Sequence, residues 1–164
     1  MNDAHLHMVV NHFPIIGIIL GLGILIIGFL LKNSTVANTA YGIFIVAAIF
    51  AAVSMGTGDG AEDMVKDFPN IGKNIIHEHE EIAEKLALVL YFLGVISLVG
   101  IYVNIKNYSK ATLISIIAIA VAIVGVFFAQ QTGTTGGEIR HTEIRPTSAI
   151  NPAIKSPNED EDKD

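Results

Sequence analysis

The stretch Phe13-Pro14-Ile15-Ile16-Gly17-Ile18-Ile19-Leu20-Gly21-Leu22-Gly23-Ile24-Leu25-Ile26-Ile27-Gly28-Phe29-Leu30-Leu31 decides the fold. It contains no Asp, Glu, Lys, Arg or His. Roughly 17–25 apolar residues cross the hydrocarbon core of a bilayer, and this run is long enough. Three more apolar runs follow, at 41–55, 86–103 and 111–129, and none carries a charge or a histidine inside it. No water reaches the backbone in that core, so each run has to satisfy its own amides as a helix. The reading is an all-α integral membrane protein: an up-down four-helix bundle with both termini on the same side. Its spans fall at about 13–31, 41–57, 84–104 and 111–130, within a transmembrane domain of residues 1–145. No Lys or Arg precedes the first run, and the run is too long for a signal peptide, so it reads as a retained span.

Composition agrees. The chain has 164 residues, 51% hydrophobic and 16% charged, against about 25% charged in soluble domains. Its mean hydropathy is +0.54. The net charge of −6 argues against a nucleic-acid partner, which would need a basic surface. With no cysteine, there is no c-type haem attachment, cysteine-ligated iron–sulfur cluster, thiolate zinc site, disulfide or cysteine nucleophile. Beyond Pro146 the chain carries Pro152 and Pro157 and ends Asn158-Glu159-Asp160-Glu161-Asp162-Lys163-Asp164. Residues 146–164 read as a disordered acidic tail.

The charges are distributed unevenly. The two short loops on one side, 32–40 and 104–110, hold Lys32, Lys106 and Lys110 and no acid. All 16 acidic residues and all six histidines fall on the other side. Lys/Arg density, and Lys32 directly after the first span, favour the short loops as cytoplasmic; the raw count, seven against three, favours the opposite. The expected topology is N-out and C-out, multi-pass, in the inner (cytoplasmic) membrane.

Six histidines at one membrane face are the main chemical signal, because imidazole binds haem iron, zinc, copper and non-haem iron. In Ile75-Ile76-His77-Glu78-His79-Glu80-Glu81-Ile82-Ala83, the residues three and four places from His79 are all apolar. Those around His77 are polar. A helix here turns His79 inward and His77 to water. His12, in Asn11-His12-Phe13-Pro14, sits at the mouth of the first span, since Pro14 suits a first helical turn. Spans one and three run in the same direction, so His12 and His79 come at similar depth on helices that can face each other. Two such imidazoles suit a bis-histidine haem b. A zinc or di-iron site fits less well, because no His-Glu-x-x-His occurs on the third helix and no carboxylate lies inside the apolar runs. Gly17, Gly21, Gly23 and Gly28 read as close helix packing, within the bundle or in a homodimer, or as clearance for a flat cofactor. Gly56-Thr57-Gly58-Asp59-Gly60 reads as a flexible turn after the second span and not as a dinucleotide fingerprint.

These residues also form a known pattern. The chain resembles the bacterial membrane family catalogued as domain of unknown function 2231, whose members are four-helix proteins. The likeness lies in His7 followed by His12-Phe13-Pro14, then in Thr57-Gly58, Ala61-Glu62, Pro69 and His79-Glu80-Glu81-Ile82-Ala83. It ends in Thr132-Gly133-Thr134-Thr135-Gly136-Gly137, which the family follows with a short strand-like turn. It covers about residues 5–145. Glu138-Ile139-Arg140-His141 departs from the commoner ending, which has Val-Tyr before its histidine. Some related proteins are joined to Rieske or cytochrome c-type domains, which implies a respiratory, outward-facing role.

The expected function is therefore a membrane b-type haem protein moving electrons within or beside a respiratory chain. His12 and His79 are the expected axial ligands, with His7 and His141 in reserve. Arg140 and Arg145 would meet haem propionates, and Glu80 would orient a ligand. One rival is a copper, zinc or iron protein using His7, His12, His77, His79 and the nearby acids. Another is a cofactor-free accessory subunit of a larger membrane complex. An electron carrier or accessory subunit is expected rather than a stand-alone enzyme, with the lipid bilayer as the first partner.

Overall fold

The computed structural model describes residues 2–68 and 71–145. The acidic tail read at 146–164, and Pro69 of the family likeness, lie outside the described residues. Five helices follow one another: α1 (Asp3–Val10), α2 (His12–Leu30), α3 (Ser34–Val65), α4 (Lys73–Ile105) and α5 (Ala111–Arg140), then a 3-10 turn at Thr142–Ile144. Four of the helical stretches are long and apolar enough to cross a membrane. Helices α2 to α5 form an up-down ring: each packs on the next in sequence, and α5 closes back onto α2. The start of α2 and the end of α5 therefore share one end of the bundle, as expected of a multi-pass membrane protein.

The outer surface is what a bilayer requires. Leu30, Leu88, Val95 and Phe127 are 71%, 67%, 59% and 57% exposed. Inside, Ile18, Leu25, Tyr41, Phe44, Leu90 and Leu93 are fully buried. Between apolar helices in lipid there is little hydrophobic drive, so small residues and polar pairs set the packing. A Cβ placed on Gly28 would meet the backbone of Ala37, and one on Gly21 would meet the Phe44 ring. These α2 glycines are thus filled by α3, which answers the clearance reading: no flat cofactor is needed to explain them. Gly23 has nothing within 4 Å. The Tyr41 hydroxyl and Ser115 Oγ, 3.0 Å apart, bridge α3 and α5, and Asn104 donates to Asn38 Oδ1 at 2.7 Å between α4 and α3.

The helices outrun the apolar runs, which corrects two expectations and adds a third feature, a helix before the first span. First, α3 continues through Gly56-Thr57-Gly58-Asp59-Gly60 to Val65, so that stretch is helix and not a flexible turn. Each glycine costs a helix about 1 kcal/mol, but α1 packs against this part of α3, and Gly60 admits the Asp3 side chain where a Cβ would collide. Second, α5 continues through the Thr-Gly motif to Arg140, where the family likeness implies a strand-like turn. Third, α1 precedes the first span. It is nearly continuous with α2, because Asn11 between them keeps right-handed helical angles and bonds back to the His7 carbonyl. Pro14 has no N–H to offer the Val10 carbonyl one turn earlier, which accounts for a break at this point. Helix α4 has 33 residues, about 50 Å at 1.5 Å per residue, against a hydrocarbon core of about 30 Å. Its first turns, with those of α1 and the last turns of α3 and α5, stand beyond the apolar runs.

Candidate functional site

At that end the four helical extensions converge on two imidazoles. His7 of α1 is half-buried against α3. Its Nδ1 lies 3.1 Å from the Ser54 carbonyl oxygen and 3.1 Å from Thr57 Oγ1. A carbonyl only accepts, so Nδ1 carries the proton. The Thr57 hydroxyl donates to the Val53 and Ser54 carbonyls and so accepts from His7 as well. His79 of α4 is half-buried against α5, with its Nδ1 3.1 Å from Thr135 Oγ1. That hydroxyl donates to the Gln131 carbonyl at 3.0 Å, so it too accepts. These partners suit the same tautomer in both rings, with Nδ1–H donated and the Nε2 lone pair left over. Fixing one ring nitrogen in this way leaves the other as a ligand.

Both rings lie beyond the apolar runs, in the helical extensions. Burial pushes His79 below the usual histidine range; the neighbouring His7 adds to this, and the Thr132 carbonyl opposes it. Burial likewise lowers His7 against its bond to Ser54. Asn11, four residues after His7, lies on the same face of the helix. Its Oδ1 is buried and has no hydrogen-bond partner among the described residues. Two imidazole nitrogens and one amide oxygen thus offer lone pairs in this region.

The other expected residues sit elsewhere. His12 is exposed and donates Nδ1–H to the Met8 carbonyl at 3.0 Å; the histidine brought to His79 is His7. His141 is exposed beside Glu143, 2.9 Å away. Arg140 lies over the Phe68 ring, 5.2 Å from its centroid. Arg145 is buried, and its Nε and Nη2 donate to the Glu138 and Ile139 carbonyls, which caps α5. Glu80 faces α3 rather than His79. Burial raises its carboxyl first, and Glu62 of α3, by charge and hydrogen bond, raises it further. His77 stands in water, 3.3 Å from Glu81. The residues that orient the rings are Ser54, Thr57 and Thr135. Sequence reasoning missed that role, although both threonines belong to the Thr-Gly motifs that share a face with the histidines. Among the described residues, no group of three or more His, Asp or Glu side chains is placed to hold a metal ion.

Comparison with protein-family models, with curated proteins and with solved structures finds no match to this chain. The fold is an α-helical bundle with four helices long and apolar enough to cross a membrane, and it carries two half-buried histidines, His7 and His79, at one end.

Proposed function

We propose that this protein is a membrane b-type haem protein, and that His7 and His79 would hold the haem iron. What carries the reading is the shared tautomer. Each ring sets Nδ1 3.1 Å from an oxygen of a neighbouring helix, an arrangement that suits Nδ1–H donation and a free Nε2 lone pair. A pair of imidazoles would suffice to hold such a group from the protein side. The orphaned Asn11 Oδ1 also fits a bound group in this place. When bound, the haem supplies one-electron exchange at its iron.

The chain's own residues hold and tune the centre. Thr57 and Thr135 fix the ring planes, and burial keeps both imidazoles neutral and available. The expected setting is the outer face of the cytoplasmic membrane, beside respiratory redox proteins. Supporting it are the lysine-bearing short turns at the far end of the bundle and the resemblance stated above.

The test is a visible spectrum of protein purified in detergent from haem-replete cells, air-oxidised and then dithionite-reduced. A Soret band that sharpens and shifts, with paired α and β bands, is expected. His7→Ala and His79→Ala each abolish it, while His12→Ala and His141→Ala keep it. A flat spectrum rejects the haem reading and sends the sample to elemental analysis for copper, zinc or iron.

A further inference from the structure

A groove of about 330 Å³ runs along the seam between α2 and α3. Its walls include Phe13, Ile16 and Val46, each about half exposed, so it opens toward the lipid. Gly17 lets α2 close onto α3 beneath it: a Cβ there would fall 2.9 Å from the Ala47 Cβ. At Gly42 the groove is open because a side chain is missing, and a Cβ built there has nothing within 4 Å. The lining is apolar except for Thr39, whose hydroxyl donates to the Thr35 carbonyl at 3.1 Å. Hydrocarbon is what such a lining accepts.

The shape narrows the choice. From Thr39 to Ala47 the groove extends about 12 Å along α3, at 1.5 Å per residue. Its volume over that length leaves a width of about 5 Å, room for one hydrocarbon chain at carbon contact distances of about 3.5–4.0 Å. A helix, about 10–12 Å across with its side chains, is too wide to enter.

Charge sets the end from which the chain comes. The Thr39 end of the groove points to the lysine-bearing end of the bundle, and Lys32 stands in the turn that joins these same two helices. Lys106 and Lys110 lie at that end too, and neither turn carries an acid. The acids among the described residues all lie at the far end. An anionic headgroup is attracted to the one end and repelled from the other. Lys32 also holds φ 50°, an angle glycine takes without strain, and strained residues cluster at ligand clamps.

We propose that the α2–α3 seam holds one acyl chain of an anionic phospholipid from the leaflet at the lysine end, with its phosphate at Lys32. Phosphatidylglycerol brings the negative charge alone. Phosphatidylethanolamine and phosphatidylcholine set a cation of their own beside the phosphate, which Lys32 repels. The binding is independent of whether the histidine pair holds haem.

The full chain, delipidated in detergent and offered equal amounts of these three lipids, is analysed by native mass spectrometry. About fivefold preferential retention of phosphatidylglycerol over each of the others is expected, the effect of one lysine at a membrane surface. Lys32→Gln removes the preference, whereas Lys110→Gln keeps it. Gly42→Leu fills the groove and lowers retention of all three lipids, at unchanged helicity by circular dichroism. If Gly42→Leu loses helicity, Lys32→Gln, at an exposed turn position, gives the deciding readout. Equal retention of the three, a preference that survives Lys32→Gln, or one lost equally in Lys110→Gln overturns the proposal. So does a dimer that forms without lipid and dissociates in Gly42→Leu, which would put a second copy on this face.

Discussion

The Nδ1 of His79 in α4 lies 3.1 Å from the Oγ1 of Thr135 in α5, and the adjacent Gly136 lets the ring lie against the α5 backbone. One threonine and one glycine thus decide where the most buried imidazole of the polar end points.

Thr135→Val keeps the volume and removes the acceptor. The Nδ1–H of His79 is then buried without its partner, which costs about 1–3 kcal/mol. The expected outcome is a lower midpoint of thermal unfolding in detergent. If the proposed haem is bound, loss of this orienting bond is expected to weaken its retention about 10- to 100-fold. An unchanged melting profile would remove Thr135 from the site.

Two glycines three residues apart respond oppositely to the same change. A Cβ on Gly136 falls 2.9 Å from His79 Cε1, whereas on Gly133 its nearest neighbour is Ile15 Cδ1 at 3.9 Å. Gly136→Ala forces the ring to move and destabilises by about 1–3 kcal/mol. Gly133→Ala meets no obstacle and gains up to about 1 kcal/mol of helix propensity. Thermal unfolding followed by far-ultraviolet circular dichroism separates the two.

Acidification weakens the polar end. The folded pKa values of His7 and His79 lie below their ordinary value of 6.5. The unfolded chain therefore binds more protons on descending through that value, and stability falls wherever this is so. The contribution of the neutral pair is fully present above pH 6.5 and is lost below it, down to the folded pKa values. Melting temperature is expected to drop between pH 7.5 and 5, and His79→Gln flattens that dependence. A wild-type curve no steeper than that of His79→Gln would refute the assignment.

At the opposite end, Lys32 has φ 50° in the turn between α2 and α3. Its left-handed angles suit glycine, which has no Cβ to crowd the backbone. Lys32→Gly is expected to stabilise by about 0.5–1 kcal/mol, read as a raised unfolding midpoint. A fall in the midpoint would show that the lysine charge near the α2 carboxyl end outweighs the strain.

The four spans were legible because lipid leaves the backbone one choice. Charge-free runs near 20 residues long mark helices whatever their packing. The inward turn of His79 and the outward turn of His77 were legible too, since helical offsets at 75–83 separate apolar from polar neighbours. The helical extensions were not. Gly56, Gly58 and Gly60 look like a turn by propensity, and only the packing of α1 along α3 turns them into helix. The missed α1 also explains the misplaced partner of His79. With the helix started at Pro14, His12 seemed to sit at the bundle mouth. Continued back through Asn11, the helix carries His7 inward and leaves His12 outside. Arg140 and Arg145 were visible as charges, but nothing in the sequence shows that one lies over Phe68 and the other caps α5.

The brevity of the two lysine-bearing turns has a consequence for everything that meets this protein. Between α2 and α3 there are three residues, and between α4 and α5 there are five. On that side almost nothing projects for a protease, an antibody or a partner subunit to grip. In sealed vesicles of uniform orientation, added protease is expected to cut from one side only. The molecule is chemically single-faced: the acids and histidines among the described residues all lie at the end away from the lysine-bearing turns.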